Sequence, residues 1–119
     1  MPQFLRVPWI RWQRFRITGE VKRQGDGRPC PGLRVAAFDQ DHIQDDFLGE
    51  TMTNADGHFE IRFTDAEFKD LVEAQPDIYL CVFEPGQREP LVDTSYAVRI
   101  NASNDEYFEI EIPAGAGSD

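Results

Sequence analysis

The stretch His58-Phe59-Glu60-Ile61-Arg62-Phe63-Thr64 decides the fold, because apolar and polar residues alternate strictly along it. A strand directs successive side chains to opposite faces, so Phe59, Ile61 and Phe63 are predicted to face a core. The same period of two recurs in five other stretches of the chain: 15–21, 33–37, 78–82, 96–100 and 108–112. Several short, half-buried strands of this kind favour an all-β sandwich or barrel.

Turn-forming residues separate these strands, chiefly in the groups 24–27, 54–57 and 101–105, which are rich in Gly, Asn and Asp. One segment departs from the strand pattern. Thr64 and Glu67 have the spacing of a helix capping box, and Pro76 would end the helix that follows them. We therefore predict a sandwich of seven or eight strands with one short helix between two of them.

This sandwich is expected to span residues 15–113. A basic, aromatic N-terminal arm (residues 1–14) precedes it and a flexible tail of small, polar residues (114–119) follows it. Because the chain has 119 residues, it has the length of one domain and can bury a core without disulfide staples.

The charge distribution limits the classes of partner. The net charge is −10, and residues 1–16 carry four arginines and no acidic residue, so the rest of the chain is still more acidic. An acidic surface repels a phosphate backbone, which argues against nucleic-acid binding. The sequence lacks a signal peptide and a run of about 20 apolar residues, so we expect a cytoplasmic protein, with export by a dedicated secretion system as the alternative.

The two cysteines have different contexts. Cys81 lies within an apolar strand and is predicted to be buried, whereas Cys30 lies between two prolines and is predicted to be exposed in a turn. In a cytoplasmic protein both thiols are expected to be reduced. The sequence leaves open whether they pair.

An acidic loop, residues 39–50, carries the candidate metal ligands Asp39, Asp41, Asp45 and Asp46. Oxygen ligands that converge from one loop are what Ca²⁺ requires, so one hypothesis is a calcium-dependent binding domain. The alternative is turn chemistry, since Asp side chains accept hydrogen bonds from their own backbone in turns. On that alternative the domain needs no cofactor.

The N-terminal arm contains both tryptophans of the protein, Trp9 and Trp12, together with Arg11 and Arg14. Trp and Arg are the residue types most often found as hot spots of protein interfaces, so these four residues are our candidates for contact with a protein partner. The arm could instead cover an edge of its own sandwich. A membrane role is disfavoured, because the arm has few charges and no amphipathic helix.

No arrangement of residues suggests catalysis. The serines lie in turn-like or terminal contexts without a neighbouring histidine, and no pair of carboxylates has a distinctive spacing. The sequence therefore predicts that the domain is not an enzyme.

Two stretches point to a family: Gly19 to Ala37, with Gly27, Pro29 and Gly32, and Thr53-Asn-Ala-Asp-Gly57 with the strand after it. They resemble the transthyretin-like (prealbumin-like) sandwich domains and the regulatory-like domain of carboxypeptidases, in which Asp-Gly closes a hairpin. This resemblance implies an adaptor domain that docks a protein partner, in a bacterial secretion or injection assembly. A homo-oligomeric carrier of a small molecule is the alternative that the family implies.

Overall fold

The computed structural model describes residues 12–68 and 75–116. These residues form seven β-strands and two short 3₁₀ helices, which confirms the predicted all-β sandwich. The strands are β1 (Arg14–Arg23), β2 (Arg34–Asp39), β3 (Asp46–Met52), β4 (His58–Thr64), β5 (Ile78–Phe83), β6 (Val92–Asp93) and β7 (Asp105–Ile112). The 3₁₀ helices are Asp65–Phe68 and Thr94–Ala97. No described helix is long and apolar enough to span a membrane.

The strands form two sheets that pack face to face. One sheet has three strands in the order β4-β1-β7, and the other has four in the order β3-β2-β5-β6. All pairings are antiparallel except that between β1 and β7, which is parallel. In this topology the turn that connects β3 to β4 lies at one end of the sandwich. The loop that connects β2 to β3 and the start of β1 lie at the other end.

The core lies between the sheets and follows from the period of two. Phe59, Ile61 and Phe63 of β4 are buried, while His58, Glu60 and Arg62 are exposed. In β1, Phe15 and Ile17 face the same core, and Phe15 stacks on Phe63 with ring centroids 5.0 Å apart. Burial of one face of each strand in this way is the main force that holds the two sheets together.

The turn at residues 54–57 forms as its composition predicts, but it does not close a hairpin within one sheet. The Oδ1 atom of Asn54 accepts hydrogen bonds from the backbone N–H of Asp56 and of His58, and Gly57 has a φ of +76°. Because β3 and β4 belong to different sheets, this turn carries the chain from one sheet to the other. The capping box is confirmed, since the backbone N–H of Thr64 donates to the Glu67 carboxylate at 2.9 Å.

The prediction that Cys30 is exposed is wrong, because the residue is only 1% exposed. Its backbone N–H donates to the carbonyl of Val21, and its carbonyl accepts the hydroxyl of the buried Thr53. These bonds pull the turn into the end of the core. Cys81 is buried as predicted, and both cysteines are free thiols.

The predicted strand at 96–100 is also wrong, because residues Thr94–Ala97 form a 3₁₀ helix instead. Asp93 caps this helix by accepting a hydrogen bond from the backbone N–H of Ser95 at 2.8 Å. The alternating apolar residues Tyr96 and Ile100 are exposed rather than buried. The local capping interaction of Asp93 therefore outweighs the strand-like alternation.

Candidate binding surface

An aromatic cluster of Phe38, Phe47 and Tyr79 lies on the outer face of the four-stranded sheet. The ring of Phe38 stacks on that of Tyr79 with centroids 5.3 Å apart, and it meets the ring of Phe47 edge-on at 5.9 Å. Both are favoured geometries for aromatic pairs. Phe47 is 53% exposed, so the cluster presents an aromatic surface to solvent.

A β-bulge brings these three rings together. Between β2 and β3 the register shifts, so that Ala37 pairs with Gly49 but Phe38 pairs with Phe47. Leu48 has no residue opposite it and its side chain is buried in the core. A bulge redirects side chains in this way, and here it places Phe47 on the outer face beside Phe38.

The acidic loop adjoins the aromatic cluster, and Asp45 connects the two. One carboxylate oxygen of Asp45 accepts the backbone N–H of Asp41 at 2.9 Å, and the other accepts the hydroxyl of Tyr79. At the base of the loop, Oδ1 of Asp39 accepts the backbone N–H of Asp77 at 2.9 Å. The loop is thus tied to β5 through Asp45 and to the residue before β5, Asp77, through Asp39.

These contacts change the protonation equilibria of the groups involved. The hydrogen bond from Tyr79, with that from the Asp41 backbone, lowers the pKa of Asp45. Burial and the hydrogen bond to Asp45 raise the pKa of the Tyr79 hydroxyl. At neutral pH a charged carboxylate therefore holds a neutral tyrosine at the border between the aromatic cluster and the acidic loop.

Asp39 behaves in the opposite way. Burial, together with the nearby carboxylates of Asp77, Asp46 and Asp41, raises the pKa of Asp39 to about 6, although the hydrogen bond from the Asp77 backbone opposes this rise. Like charges close together disfavour the ionised form. Several carboxylates therefore lie close together at the base of the acidic loop.

The predicted calcium ligands Asp39, Asp41, Asp45 and Asp46 share this end of the sandwich. Within residues 12–68 and 75–116, however, no group of three or more His, Cys, Asp or Glu side chains is arranged to hold a metal ion. Asp41 and Asp45 accept local backbone N–H groups within the loop, as in a turn, while Asp39 and Asp45 also accept bonds from the Asp77 backbone and the Tyr79 hydroxyl. The calcium site receives no support from this geometry and stays a prediction.

The two histidines are also far apart. His42 lies in the connection between β2 and β3, whereas His58 begins β4 beside Glu20, with Nε2 3.7 Å from its carboxylate. The seven residues of β3 separate the two ends of the sandwich by about 20 Å. The two histidines therefore cannot bind the same metal ion.

The residues of the predicted docking arm are only partly described. Trp9 and Arg11 lie outside the described residues. Arg14 is the first residue of β1 and pairs with Thr64, so it belongs to the sheet, and Trp12 is half-buried just before it. Both lie at the same end of the sandwich as the acidic loop.

The sequence analysis missed the aromatic cluster. A signal was available, because Phe38 and Phe47 lie on either side of the aspartates 39–46, and pairing of the strands that flank a loop places such residues opposite each other. Tyr79 is 32 or more residues from both, and only the β2–β5 pairing brings it to them. No sequence pattern indicates that pairing.

No family model matches the chain, and the search of curated proteins finds no relative of it. Several solved structures share its fold. They include a 9R-lipoxygenase from Cyanothece PCC8801, with a TM-score of 0.59 and 20% identity over 86% of this chain. They also include the dioxygenase domain of a dioxygenase carbohydrate-binding protein fusion from Streptomyces sp. SirexAA-E (TM-score 0.52, 16% identity, 93% of this chain).

A third similar structure is that of an (S)-allantoin synthase, with a TM-score of 0.53 and 16% identity over 84% of this chain. The matches span very different shares of these proteins: 16% of the lipoxygenase chain, 86% of the dioxygenase domain and 40% of the allantoin synthase. At these identities the likeness shows the fold.

The prediction that this domain is not an enzyme is corrected by these structures. It relied on the absence of a recognisable catalytic motif in the sequence. The sandwich fold is found within a lipoxygenase and makes up most of a dioxygenase domain, so it is a fold of enzymes as well as of binding domains.

Proposed function

We propose that this domain docks a protein partner through the aromatic cluster and the acidic loop beside it. The observation that carries the proposal is the aromatic surface of Phe38, Phe47 and Tyr79 at the border of a strongly negative loop. Exposed aromatic side chains are depleted on ordinary surfaces and enriched at the centres of interfaces.

The charge of the loop indicates the chemistry of the partner. Among the described ion pairs, none includes Asp39, Asp41 or Asp45; most lie on the outer face of the three-stranded sheet, such as Arg16–Asp105. Ile43, which is 96% exposed, adds an apolar side chain to the tip of the same loop. A segment that carries Arg or Lys next to an aromatic or aliphatic residue would complement both features.

The bacterial secretion or injection setting remains a prediction that rests on the resemblance to transthyretin-like domains. The docking surface proposed here differs from the one that the sequence suggested. It is formed by the four-stranded sheet rather than by the arm, although Trp12 and Arg14 lie at the same end of the sandwich.

The proposal is tested by selecting ligands for the full chain from a displayed library of random linear peptides. We expect selected peptides to pair Arg or Lys with an aromatic or aliphatic residue. The substitution Phe47→Ala should weaken their binding by about 10-fold or more, since truncation of an interface hot spot costs about 2 kcal/mol. Isothermal titration calorimetry measures the change.

The matched control is Tyr107→Ala, which removes an aromatic side chain of similar exposure (50%) from the other sheet. It should leave binding unchanged. Equal binding by the Phe47→Ala variant and the unaltered protein, or loss of binding in Tyr107→Ala alone, would rule the aromatic cluster out as the docking surface.

A further inference from the structure

The outer edge of β7 is an open strand edge. This eight-residue strand pairs with β1 on one side and is the last strand of its sheet among the described residues. An edge of this kind presents backbone N–H and C=O groups with which another strand can pair, so proteins usually cover or disrupt it.

The hydrogen bonds identify which groups of β7 face outward. The carbonyls of Asn104 and Ile112 accept the N–H groups of Arg16 and Gln24, so even-numbered residues face β1. Since the backbone groups of a strand alternate in direction, odd-numbered residues from Asp105 to Glu111 face the open edge.

The first half of this edge is closed by side chains of the same domain. The Ser103 hydroxyl donates to the carbonyl of Asp105 at 2.9 Å, and the Arg99 guanidinium donates to the carbonyl of Tyr107 at 2.7 Å. No described hydrogen bond reaches the outward backbone groups of Glu109 and Glu111. Among the described residues, nothing covers the second half of the edge.

A groove runs beside this second half. It has a volume of about 730 Å³ and lies between β7 and the segment of residues 91–99 on the other sheet. Leu91, Val92 and Ile110 contribute apolar side chains to it, and Tyr96, which is 84% exposed, stands at its border. Polar side chains, among them Asp93, Thr94 and Arg99, line the groove as well. A strand added to β7 would direct every second side chain into this groove, beside its apolar residues.

We propose that the edge of β7 at Glu109–Glu111 binds an extended segment of a protein partner as an added β-strand, at a site separate from the aromatic cluster. Inward residues of the segment are apolar, to fill the groove. Outward residues are basic, because the side chains of Glu109 and Glu111 are exposed beside them and opposite charges on neighbouring strands attract. A second copy of β7 is a poor occupant, since its own Glu109 and Glu111 would repel these residues.

The test uses the full chain and an acetylated, amidated seven-residue peptide of alternating lysine and valine. The substitution Glu109→Pro removes one outward N–H without touching a bond to β1, and proline is tolerated at edge positions of this kind. We expect it to weaken binding by about 10-fold or more, as the N–H bond is lost and the ring obstructs the edge. The matched control Glu109→Ala loses the same carboxylate but keeps the N–H, so it should bind the peptide about 10-fold more tightly than the Pro variant does.

Amide hydrogen exchange supplies a second measurement that does not depend on a variant. The N–H groups of Glu109 and Glu111 should exchange more slowly when the peptide is bound, and binding should persist in Phe47→Ala. Unchanged exchange at both amides, equal affinity of the Pro and Ala variants, or loss of binding in Phe47→Ala would each overturn the proposal. If light scattering shows that the free chain dimerises through β7, the occupant of this edge is a second copy of the chain and not a segment of another protein. That result would also overturn the proposal.

Discussion

Asp39 and Asp45 lie in the same loop, yet their environments act on them in opposite directions. Asp45 accepts two hydrogen bonds, which stabilise its charged form, whereas burial and neighbouring carboxylates destabilise the charged form of Asp39. The acidic loop therefore keeps a carboxylate at Asp39 that costs folding free energy. Charge retained at such a cost is consistent with a role in binding a cationic partner.

The substitution Asp39→Asn should stabilise the protein at neutral pH. The pKa of Asp39 is about 6 in the folded state and about 3.9 in an unfolded chain. Between these two pH values Asp39 is therefore more often protonated in the folded state than in the unfolded chain. Stability from this group is present below about pH 4 and is lost as the pH rises through 6. We expect Asp39→Asn to gain about 1 kcal/mol at pH 7 and little at pH 4, allowing for solvent screening.

Urea unfolding at pH 4 and pH 7.5 measures this difference. Asparagine keeps the Oδ1 acceptor for the backbone N–H of Asp77, so the variant isolates the charge. Asp45→Asn is the control with the opposite sign, since the lowered pKa of Asp45 predicts a loss of stability at both pH values, which fades only as the pH falls below the ordinary carboxyl pKa of about 4. A destabilised Asp39→Asn variant at pH 7.5 would contradict the argument.

Among the elements, β1 organises the three-stranded sheet, because it is the middle strand between β4 and β7. Gly19 faces the core at its centre, opposite Phe59 on one side and Phe108 on the other. The ring of Phe59 occupies the space above this glycine. A side chain at residue 19 would thus meet both neighbouring strands.

The substitution Gly19→Ala should destabilise the fold by about 3 kcal/mol, the upper part of the range for overpacked cores. Its Cβ would lie 2.4 Å from the carbonyl oxygen of Phe108 and 2.5 Å from Cζ of Phe59, and the backbone contact cannot be relieved by a rotamer change. Guanidinium unfolding checks this. Gly49→Ala, whose Cβ would meet only a methyl group of Ile61 at 3.0 Å, should cost clearly less.

At the scale of the whole molecule, the sequence predicted the sandwich architecture better than it predicted the proposed docking surfaces. Alternation in β4 or β7 reports burial on one face, which is enough to infer a sandwich. The aromatic cluster and the open edge of β7 depend instead on strand order, a bulge and pairings between distant residues. Local sequence patterns contain no such information. At residues 96–100 the same alternation led to the wrong prediction of a strand, because Asp93 caps a 3₁₀ helix that begins just before them.

The parallel pairing of β1 with β7 has a consequence for how the chain is made. Arg16 and Asp105 are partners in register, although 89 residues of sequence separate them. While a ribosome is still synthesising the later strands, β4 is the one neighbour of β1, among the described strands, that can already be present, so the edge of β1 that pairs with β7 is uncovered. Closing so long a loop is slow and entropically costly, so the nascent chain passes through a stage at which its central strand is open to wrong partners. The growing polypeptide thus depends on β7 leaving the ribosome before it is protected from aggregation.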